Sequence, residues 1–578
     1  MKSYLQPLFI RIIKSVIICY LFLNGLGLPI LNAATINVSS IAALQNACDN
    51  SNSGDIIILA NGTYQDVSLN VNNSNITVMA QTSGRVFLNG YDDINIYGNN
   101  VNFTGFQFTS GDIGSSYLIE VYGSRNKLTH LNFSNYSAKK YIEIKAGTQY
   151  NEISYCNLEK KPATAVTGCT IQISTSATVP GYHKIMYCSF QNYYGVGGDN
   201  GNEPVRIGLG AEYLNKSRTV VDHCYFNNTG LGDSESISIK CQENVVRFCT
   251  FTNQQNAMLS FRNGDFNVAY SNFFINAGGI RVKEANNIYC YNNYFENSGG
   301  NATGAVIYVY VAPLIPPTTA APRTMNQDNI NFIHNTFYNC GDIDLGGIGA
   351  SNNTWANNIF KKSSGNVFIN PNTGTSWVGN IYQGTLGISI LSGMTSTNPF
   401  LALNSEGYYG LSSNSPINNA NAGYLAILDL INIDDDPNIL FDISGQARPS
   451  TITLKDVGCD EYTTGTTTNH PLTLSEVGPS YLALLLTDTS DLSDKKIVVF
   501  PNPAKNNLTI QFPKNSDFDV EVIIINTNGQ VVKKQFIAIN EIINSEKSID
   551  ISNLNNGIYF VKLYSNSSVK SIKLVITK

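Results

Sequence analysis

Charged side chains are scarce in this 578-residue sequence, in which Asp, Glu, Lys and Arg together make up 13%, about half the usual share for a soluble domain. Surface helices normally carry charge along their exposed face, so this scarcity argues against a mainly helical protein. The net charge of −6 supplies no basic field, and we therefore expect no nucleic-acid partner.

The eleven cysteines include no CxxC pair, which argues against a zinc site. Four of them, Cys156, Cys188, Cys224 and Cys249, each come two residues before an apolar residue at a repeated position. A stack of small inward side chains explains that spacing better than a disulfide framework does, so the sequence predicts buried free thiols.

Long apolar runs are also lacking, apart from one near the N-terminus. Arg11 and Lys14 precede the run SVIICYLFLNGLGLPIL, and a small-residue site ends at Ala33. This arrangement predicts a signal peptide over residues 1–33 and export, with a membrane anchor as the alternative. No second run could span a bilayer, so we expect no membrane span in the mature protein.

Short apolar-aromatic runs recur between Asn75 and Phe360, and the landmarks Phe251, Phe273 and Phe295 are spaced at 22 residues. A period of this length, built from alternating strands, is typical of a solenoid in which each repeat is one coil. The sequence thus predicts an all-β protein with a right-handed parallel β-helix over 34–462. A short helix over about Ser40–Asp49 is expected to cap its open end.

The remainder of the chain has a different pattern. A Gly/Thr-rich stretch predicts a linker over 463–495. Strand-like runs joined by NTNG and NNG turns follow from residue 496. These are hairpin signals, and they predict a small C-terminal β-sandwich over 496–578.

Cations recur at outward positions of the central coils. In the motifs EPVRIG, SISIK, MLSFR and GGIRVK the aliphatic and Phe residues alternate inward, which turns Arg206, Lys240, Arg262, Arg281 and Lys283 outward. Because Lys240 and Arg262 are one period apart, we expect them to lie side by side on neighbouring strands, about 4.8 Å apart. Insertions near 160–180, 192–204 and 300–328 are expected to form walls of a groove.

A stacked Lys and Arg in a cationic groove suit β-elimination of a uronic-acid polysaccharide. The sugar carboxylate must be neutralised, a base must remove the C5 proton, and an acid must protonate the departing O4. A neighbouring Arg favours the neutral form of a Lys that acts as base. Glycoside hydrolysis needs paired carboxylates instead, and outward carboxylates are sparse in the central coils.

The motifs NEPVRIG, DSESISIK, MLSFRNG and GGIRV, in this order, resemble the polysaccharide lyases of family six, the alginate lyases and chondroitinase B. The resemblance covers roughly 35–460 and implies a secreted lyase that acts on alginate, with dermatan sulfate as the alternative substrate. It implies Lys240 as Brønsted base and Arg262 as Brønsted acid. By the same resemblance Asp233 and Glu235 match an acidic pair that holds Ca²⁺.

Further predicted substrate contacts are Arg206 and Arg281, from the resemblance, together with the outward Lys283 and with His183, which precedes a groove insertion. Two departures leave calcium open. Cys224 stands where the family often has an Asn ligand, and thiols are poor ligands for hard cations. The family's usual RHG motif is here RNG, with Asn263 in place of His.

The tail sequences FPNPAKNNLTI, NTNGQVV and LNNGIYFVKL resemble the C-terminal sorting domain of the type IX secretion pathway. This resemblance implies that the secretion machinery is a partner and that the protein is secreted or held at the cell surface. Two other hypotheses remain open. One is a non-catalytic carbohydrate-binding β-helix, and the other is a glycoside hydrolase of the polygalacturonase type.

Overall fold

The structure is a computed structural model, and it describes residues 33–162, 168–195, 198, 201–254, 256–300, 304–310, 327–346, 350–372, 374–389, 392–419, 440–463, 465–485, 498–512, 520–526, 531–537, 546–565 and 568–578. The predicted signal peptide lies outside these residues except for Ala33. Most of the predicted 300–328 insertion lies outside them as well.

The main body is a parallel β-helix, as predicted, whose coils contribute one strand to each of three parallel sheets. Sheet 1 contains Thr35–Val38, Ile56–Leu59, Thr77–Ala80, Asn102–Thr104, Lys127–Thr129, Glu152–Ser154, Lys184–Met186, Val220–Asp222, Val245–Arg247, Val268–Tyr270, Ile288–Tyr291, Ile330–Ile333, Asn353–Ala356 and Thr375–Val378. Sheet 2 contains Gly62–Gln65, Val86–Asn89, Phe106–Thr109, Asn132–Ser134, Asn157–Glu159, Ser189–Gln191, Tyr225–Asn227, Thr250–Gln254, Phe273–Ala277, Tyr294–Glu296, Thr336–Tyr338, Ile359–Asn366, Asn380–Thr385 and Met394–Ser396. Sheet 3 contains Ser68–Val71, Asp93–Ile96, Tyr117–Val121, Lys140–Ile144, Ile171–Ile173, Val205–Ile207, Glu235–Ile239, Met258–Arg262, Ile280–Lys283, Ile307–Tyr310, Ile343–Asp344 and Phe368–Ile369.

Stacked phenylalanines fill the core along sheet 2. Phe226, Phe251, Phe274 and Phe295 follow one another with ring centroids 4.6 to 4.7 Å apart. The predicted landmark Phe273 is therefore wrong by one residue, since Phe251 pairs with Phe274. Phe273 instead faces away from this stack and contacts the ring of Tyr408, with the centroids 5.4 Å apart.

An asparagine ladder forms the corner between sheets 1 and 2 in the later coils. In each step an Asn Oδ1 accepts from both the backbone N–H and the side-chain amide of the Asn one coil earlier, at 2.9 to 3.1 Å. The members are Asn272, Asn293, Asn335, Asn358 and Asn380. All are fully buried, so the ladder satisfies polar groups that water cannot reach.

Cysteines occupy the same corner in the earlier coils. The backbone N–H of Cys249 donates to Asn272 Oδ1 at 3.0 Å, which places the last Cys of the row directly before the first Asn of the ladder. All ten cysteines among the described residues are buried free thiols. The prediction of free thiols at this corner is confirmed.

The N-terminal end of the solenoid is capped by the helix Ile41–Asn50, as predicted. Ser40 is its N-cap, and its Oγ accepts from the backbone N–H of Ala43 at 3.2 Å. Leu44, Ala47 and Cys48 are buried against the first coils. The helix thereby covers inward side chains that the first coil would otherwise expose.

Several smaller elements lie after or beside the coils. They are the pair Gln327–Asp328 and Ala350–Ser351, the hairpin Leu401–Leu403 and Tyr409–Leu411, the 3₁₀ helices Gly210–Glu212 and Ile452–Leu454, and the helix Ser480–Leu485.

Beyond the last coil, the chain turns back along the solenoid. Residues 465–485, here called the strap, lie within the predicted linker 463–495. The strap packs on the solenoid, whereas a flexible linker would make no such contacts.

The strap contacts progressively earlier coils. The backbone N–H of Leu472 donates to Thr250 Oγ1 at 2.8 Å, and that of Gly478 donates to the carbonyl of Tyr187 at 2.7 Å. The hydroxyl of Tyr481 then donates to the carbonyl of His130 at 3.1 Å. Since each of these partners lies further toward the N-terminal end, the strap joins many coils that otherwise contact only their neighbours.

The C-terminal region is a two-sheet sandwich, as predicted. One sheet is formed by Val498–Phe500, Asn507–Gln511 and Glu546–Asp550, and the other by Val531–Ile537, Val520–Asn526, Gly557–Ser565 and Ser568–Ile576. Side chains from both sheets form a single apolar core. Among the described residues, no helix is long and apolar enough to cross a membrane.

Candidate active site

The outer edge of sheet 3 brings three predicted cations into one row. Lys240 directly follows Ile239, which pairs with Phe261, so Lys240 stands beside Arg262. Arg262 in turn pairs with Lys283. The side chains of Lys240 and Arg262 are 14% and 26% exposed, and therefore partly open to a ligand while largely screened from bulk water. The predicted stacking of Lys240 and Arg262 is thus present in the structure.

A second row lies two residues earlier on the same strands. Arg206 pairs with Ser238, and Ser260 pairs with Arg281, so two serines separate the arginines. Arg206 Nε donates to Gln172 Oε1 at 2.7 Å, and Arg281 Nε donates to Ser260 Oγ at 3.1 Å. The structure thus brings all five predicted cations to one face.

Three buried carboxylates lie beneath these cations. One ligand oxygen from each of Glu203, Asp233 and Glu235 lies within 4.8 Å of the others. Asp233 accepts from the backbone N–H groups of Gly201 at 2.6 Å and Glu235 at 2.9 Å. Burial, together with the charges of Glu203 and Glu235, nevertheless raises the pKa of Asp233 to about 7.

The cations partly neutralise this carboxylate group. Arg281 Nη2 donates to Glu235 Oε1, and Arg262 Nη1 lies 3.8 Å from the same oxygen. Burial raises the pKa of Glu235, but the charges of Arg281, Arg262 and Lys240 outweigh it and hold that pKa below its ordinary value. Lys240 Nζ lies 3.9 Å from Glu203 Oε1, so the predicted base is coupled directly to the carboxylates.

Lys283 occupies the other side of Arg262. Burial and the charges of Arg262 and Arg281 lower the pKa of Lys283, which favours its neutral form relative to an exposed lysine. The row therefore places a lysine on each side of a single arginine. A bound anion could contact all three side chains together.

The three carboxylates fit a hard cation such as Ca²⁺, which prefers oxygen ligands. Glu203, Asp233 and Glu235 would hold it, and Glu203 is a member that the sequence did not identify. Cys224 does not belong to this group, contrary to the expectation that it stands at the third ligand position. Its Sγ points into the core, where it lies 3.5 Å from the carbonyls of Ile185 and Asp222.

His183 is not brought to the cationic face. It directly precedes the strand Lys184–Met186 of sheet 1, is 2% exposed, and accepts from the backbone N–H of Asn151 through Nδ1 at 3.1 Å. Burial lowers the pKa of His183 to about 4. These contacts make His183 part of the folded framework, away from the row of cations.

A fully buried lysine, Lys161, contacts the chain segment that carries Glu203. Lys161 Nζ donates to Asn202 Oδ1, next to Glu203, and to the carbonyl of Gly168 at 2.5 Å. Burial lowers the pKa of Lys161 to about 8. We assign it a positioning role, because it ties the chain segment that carries Glu203 to the preceding coil. The sequence around Lys161 contains no pattern that predicts this contact.

The sequence matches two family models. Residues 38–350 match the model described as chondroitinase B, and residues 498–577 match the secretion system C-terminal sorting domain. The sorting domain indicates export, followed by secretion or attachment at the cell surface. A comparison with curated proteins finds no significant match.

Solved structures share the fold. The alginate lyase AlyGC of polysaccharide lyase family 6 is 23% identical with a TM-score of 0.60, over 66% of this chain and 56% of that one. A mannuronic-acid-specific family 6 lyase from human gut microbiota is 23% identical with a TM-score of 0.53, over 63% and 91%. The alginate lyase AlyF-OU02, solved as a complex with G6, is 18% identical with a TM-score of 0.56, over 76% and 97%.

The chain spans 56% and 59% of the length of the first two structures that it matches, AlyGC and a mutant of it. At these identities the likeness shows the fold. The chondroitinase B model, however, covers more than half of the chain, including every strand that carries the cationic rows. The chain belongs to the chondroitinase B family.

Proposed function

We propose that this protein is a polysaccharide lyase that cleaves alginate by β-elimination. The single observation that carries the proposal is the row Lys240–Arg262–Lys283 in register above three buried carboxylates. The structural relatives suggest the substrate, since several of them are alginate lyases. The exported location is consistent with a polymer that cannot enter the cell.

The proposed reaction assigns a role to each neighbour in the row. The Lys240 amine accepts the C5 proton, the electron pair forms the C4–C5 double bond, and the C4–O4 bond breaks. Arg262 donates a proton to the departing O4, which leaves as a hydroxyl group. Arg206, Arg281 and Lys283 bind the carboxylates of the flanking sugars through charge-assisted hydrogen bonds.

Neutralisation of the substrate carboxylate is the remaining requirement. A Ca²⁺ ion held by Glu203, Asp233 and Glu235 would supply positive charge for this purpose. The same three residues also orient Lys240 and the arginines through the ion pairs described above. We propose calcium as the cofactor on this basis.

The calcium proposal predicts a change in thermal stability that needs no turnover. Calcium should raise the unfolding temperature of the wild-type chain, because it binds only the folded carboxylate group. Glu203→Gln keeps the shape of the side chain and should abolish this increase. Glu159→Gln, at a partly exposed carboxylate on sheet 2, is the matched control. An equal increase in both variants would exclude this site.

The function is tested by near-ultraviolet absorbance of the unsaturated uronate product. The full chain is incubated with alginate and, because the family model is named for chondroitinase B, with dermatan sulfate. We expect absorbance to rise on alginate and to vanish in Lys240→Ala. Lys127→Ala, on sheet 1, should retain full activity. Polymer binding without any absorbance from the wild type would instead identify a carbohydrate-binding protein.

A further inference from the structure

The outermost row of sheet 3 continues well beyond the cations. In each earlier coil, the residue that follows the inward aliphatic side chain donates its backbone N–H to the carbonyl of the inward residue one coil before, at 2.8 to 3.0 Å. These residues, read toward Lys240, are Tyr97, Tyr122, Lys145, Ser174 and Gly208. One continuous row therefore joins the candidate active site to the N-terminal part of sheet 3.

The length of this row determines how long a ligand must be to contact both of its ends. Neighbouring strands are about 4.8 Å apart, so Tyr122 and Lys240 are separated by about 19 Å and Tyr97 lies about 5 Å further on. This coil spacing is comparable to the length of one sugar residue in an extended polysaccharide. A polymer on the row would thus place about one sugar on each coil.

Two tyrosines form an exposed platform at the far end. Tyr97 and Tyr122 are 46% and 41% exposed, and their rings stack with centroids 4.7 Å apart and 17° between planes. Lys145 Nζ lies 5.2 Å from the centroid of Tyr122. Tyrosine offers an apolar ring and a hydroxyl together, which suits contact with the C–H edges and hydroxyls of a sugar.

The middle of the row carries only small side chains or none. Gly208 has no side chain and a φ of +74°, and a Cβ there would lie 2.9 Å from that of Cys241. Ser174 is small, and its hydroxyl donates to Glu143 Oε1 at 3.0 Å. A chain bound next to Lys240 therefore meets no large side chain of this row until it reaches Lys145 and the tyrosines.

Charge also differs between the two ends. Near the tyrosines, Glu120 and Glu143 are both paired with Lys145, and Glu143 is paired with Lys140 at 3.0 Å as well. These carboxylates are thus balanced by ammonium groups. The far end offers ring and hydroxyl contacts with little net charge, whereas the near end carries five cations above three carboxylates.

From this continuity we propose that Tyr97 and Tyr122 form a distal subsite, which binds a sugar of the same polysaccharide chain that is cleaved beside Lys240. The inference rests on the proposed function for the identity of the polymer. It adds that long chains are held by about four more coils than the reaction itself needs. Short oligosaccharides cannot reach the platform and gain nothing from it.

The test compares two matched tyrosines in binding assays. Tyr150 is also exposed, at 44%, stacks on Tyr182 with centroids 5.2 Å apart and has Arg125 over its ring, but it lies in a turn outside the row. Binding of polymannuronate and of its trisaccharide is measured by calorimetry in the full chain carrying Lys240→Ala, which removes turnover. Tyr122→Ala should weaken polymer binding about fivefold and leave trisaccharide binding unchanged, while Tyr150→Ala should change neither.

Several outcomes would overturn the subsite. Equal polymer affinity in the Tyr122→Ala and Tyr150→Ala variants would do so, as would a change in the solution mass of Tyr122→Ala that identifies the platform as a contact between copies of the chain. If the wild type cleaves alginate while Tyr122→Ala binds it normally, the subsite fails and the proposed function stands. If polymer binding depends on Tyr122 but the wild type cleaves nothing, the subsite stands and the lyase proposal fails.

Discussion

The corner between sheets 1 and 2 and the outer row of sheet 3 use the same coil-to-coil register in opposite ways. In the corner, successive coils repeat one residue, so that each Asn from Asn272 to Asn380 bonds to its like. In the part of the outer row beside the candidate active site, neighbours differ, and Gly208, Lys240 and Arg262 follow one another. The buried corner thus repeats one residue type, whereas the residue type changes at each coil beside the candidate active site.

The difference follows from how the side chains are satisfied. An asparagine carries both a donor and an acceptor, so a stack of identical residues can satisfy itself away from water. Stacked cations repel one another and need carboxylates beneath them, as Arg281 and Lys240 have in Glu235 and Glu203. We therefore expect corner residues to govern stability and row residues to govern activity.

The largest expected effect is on turnover. Replacing Arg262 by Ala should lower kcat about a thousandfold, because the proposed acid for the departing O4 is lost. The unfolding temperature should stay close to that of the wild type, since Arg262 is partly exposed at the end of its strand. Steady-state kinetics and thermal unfolding of the same preparation measure both quantities. Arg125→Ala, outside the row, should change neither.

The next largest effect is expected in the corner. Asn335→Ala should lower the free energy of unfolding by about 3 kcal/mol, because Asn293 and Asn358 lose a buried partner and the carbonyl of Cys290 loses its donor. The folded fraction should keep the kcat of the wild type. Denaturant unfolding provides the measurement, with Asn253→Ala at an exposed amide as control. An equal loss of unfolding free energy in the two variants would contradict the proposed role of the corner in stability.

The strap allows a third comparison, because it stabilises the solenoid without belonging to its repeat. Tyr481 packs against Gly84, where a Cβ would lie 2.3 Å from its ring. Tyr481→Ala should lower the free energy of unfolding by about 2 to 3 kcal/mol through lost burial. Tyr462→Ala, at a tyrosine that is 49% exposed, should cost far less. Similar melting temperatures for both variants would show that the strap contributes little.

Periodicity made much of this molecule predictable. Alternation within SISIK and MLSFR is enough to turn Lys240 and Arg262 outward, and one period is enough to place them side by side. The same reasoning failed at Phe273, because two adjacent phenylalanines fit the pattern equally well. Only the pairing of Phe251 with Phe274 resolves the register.

The missed features are those that do not repeat. Glu203 joins Asp233 and Glu235 because the next coil returns to it after 30 residues, and nothing in its local sequence marks that return. Strap contacts such as Tyr481 with His130 join residues 351 positions apart. Repeat patterns report neighbours one coil away, so contacts made once along the chain leave no signal in them.

The smallest expected effect is on the pH dependence of stability, and it tests whether His183 belongs to the scaffold or to the substrate site. Burial lowers its folded pKa to about 4, below the ordinary 6.5, so the unfolded chain binds the proton more readily. The stabilising contribution of the neutral ring is therefore complete above pH 6.5 and is lost as the pH falls toward 4, by about 2 kcal/mol between pH 7 and pH 5. His183→Gln should flatten this part of the stability profile, measured by denaturant unfolding at each pH. His130→Gln should flatten the profile less, because burial of this partly exposed ring, together with the charge of Lys127, lowers the pKa of His130 in the same direction. A raised KM for alginate together with an unchanged pH profile of stability would contradict the assignment of His183 to the scaffold.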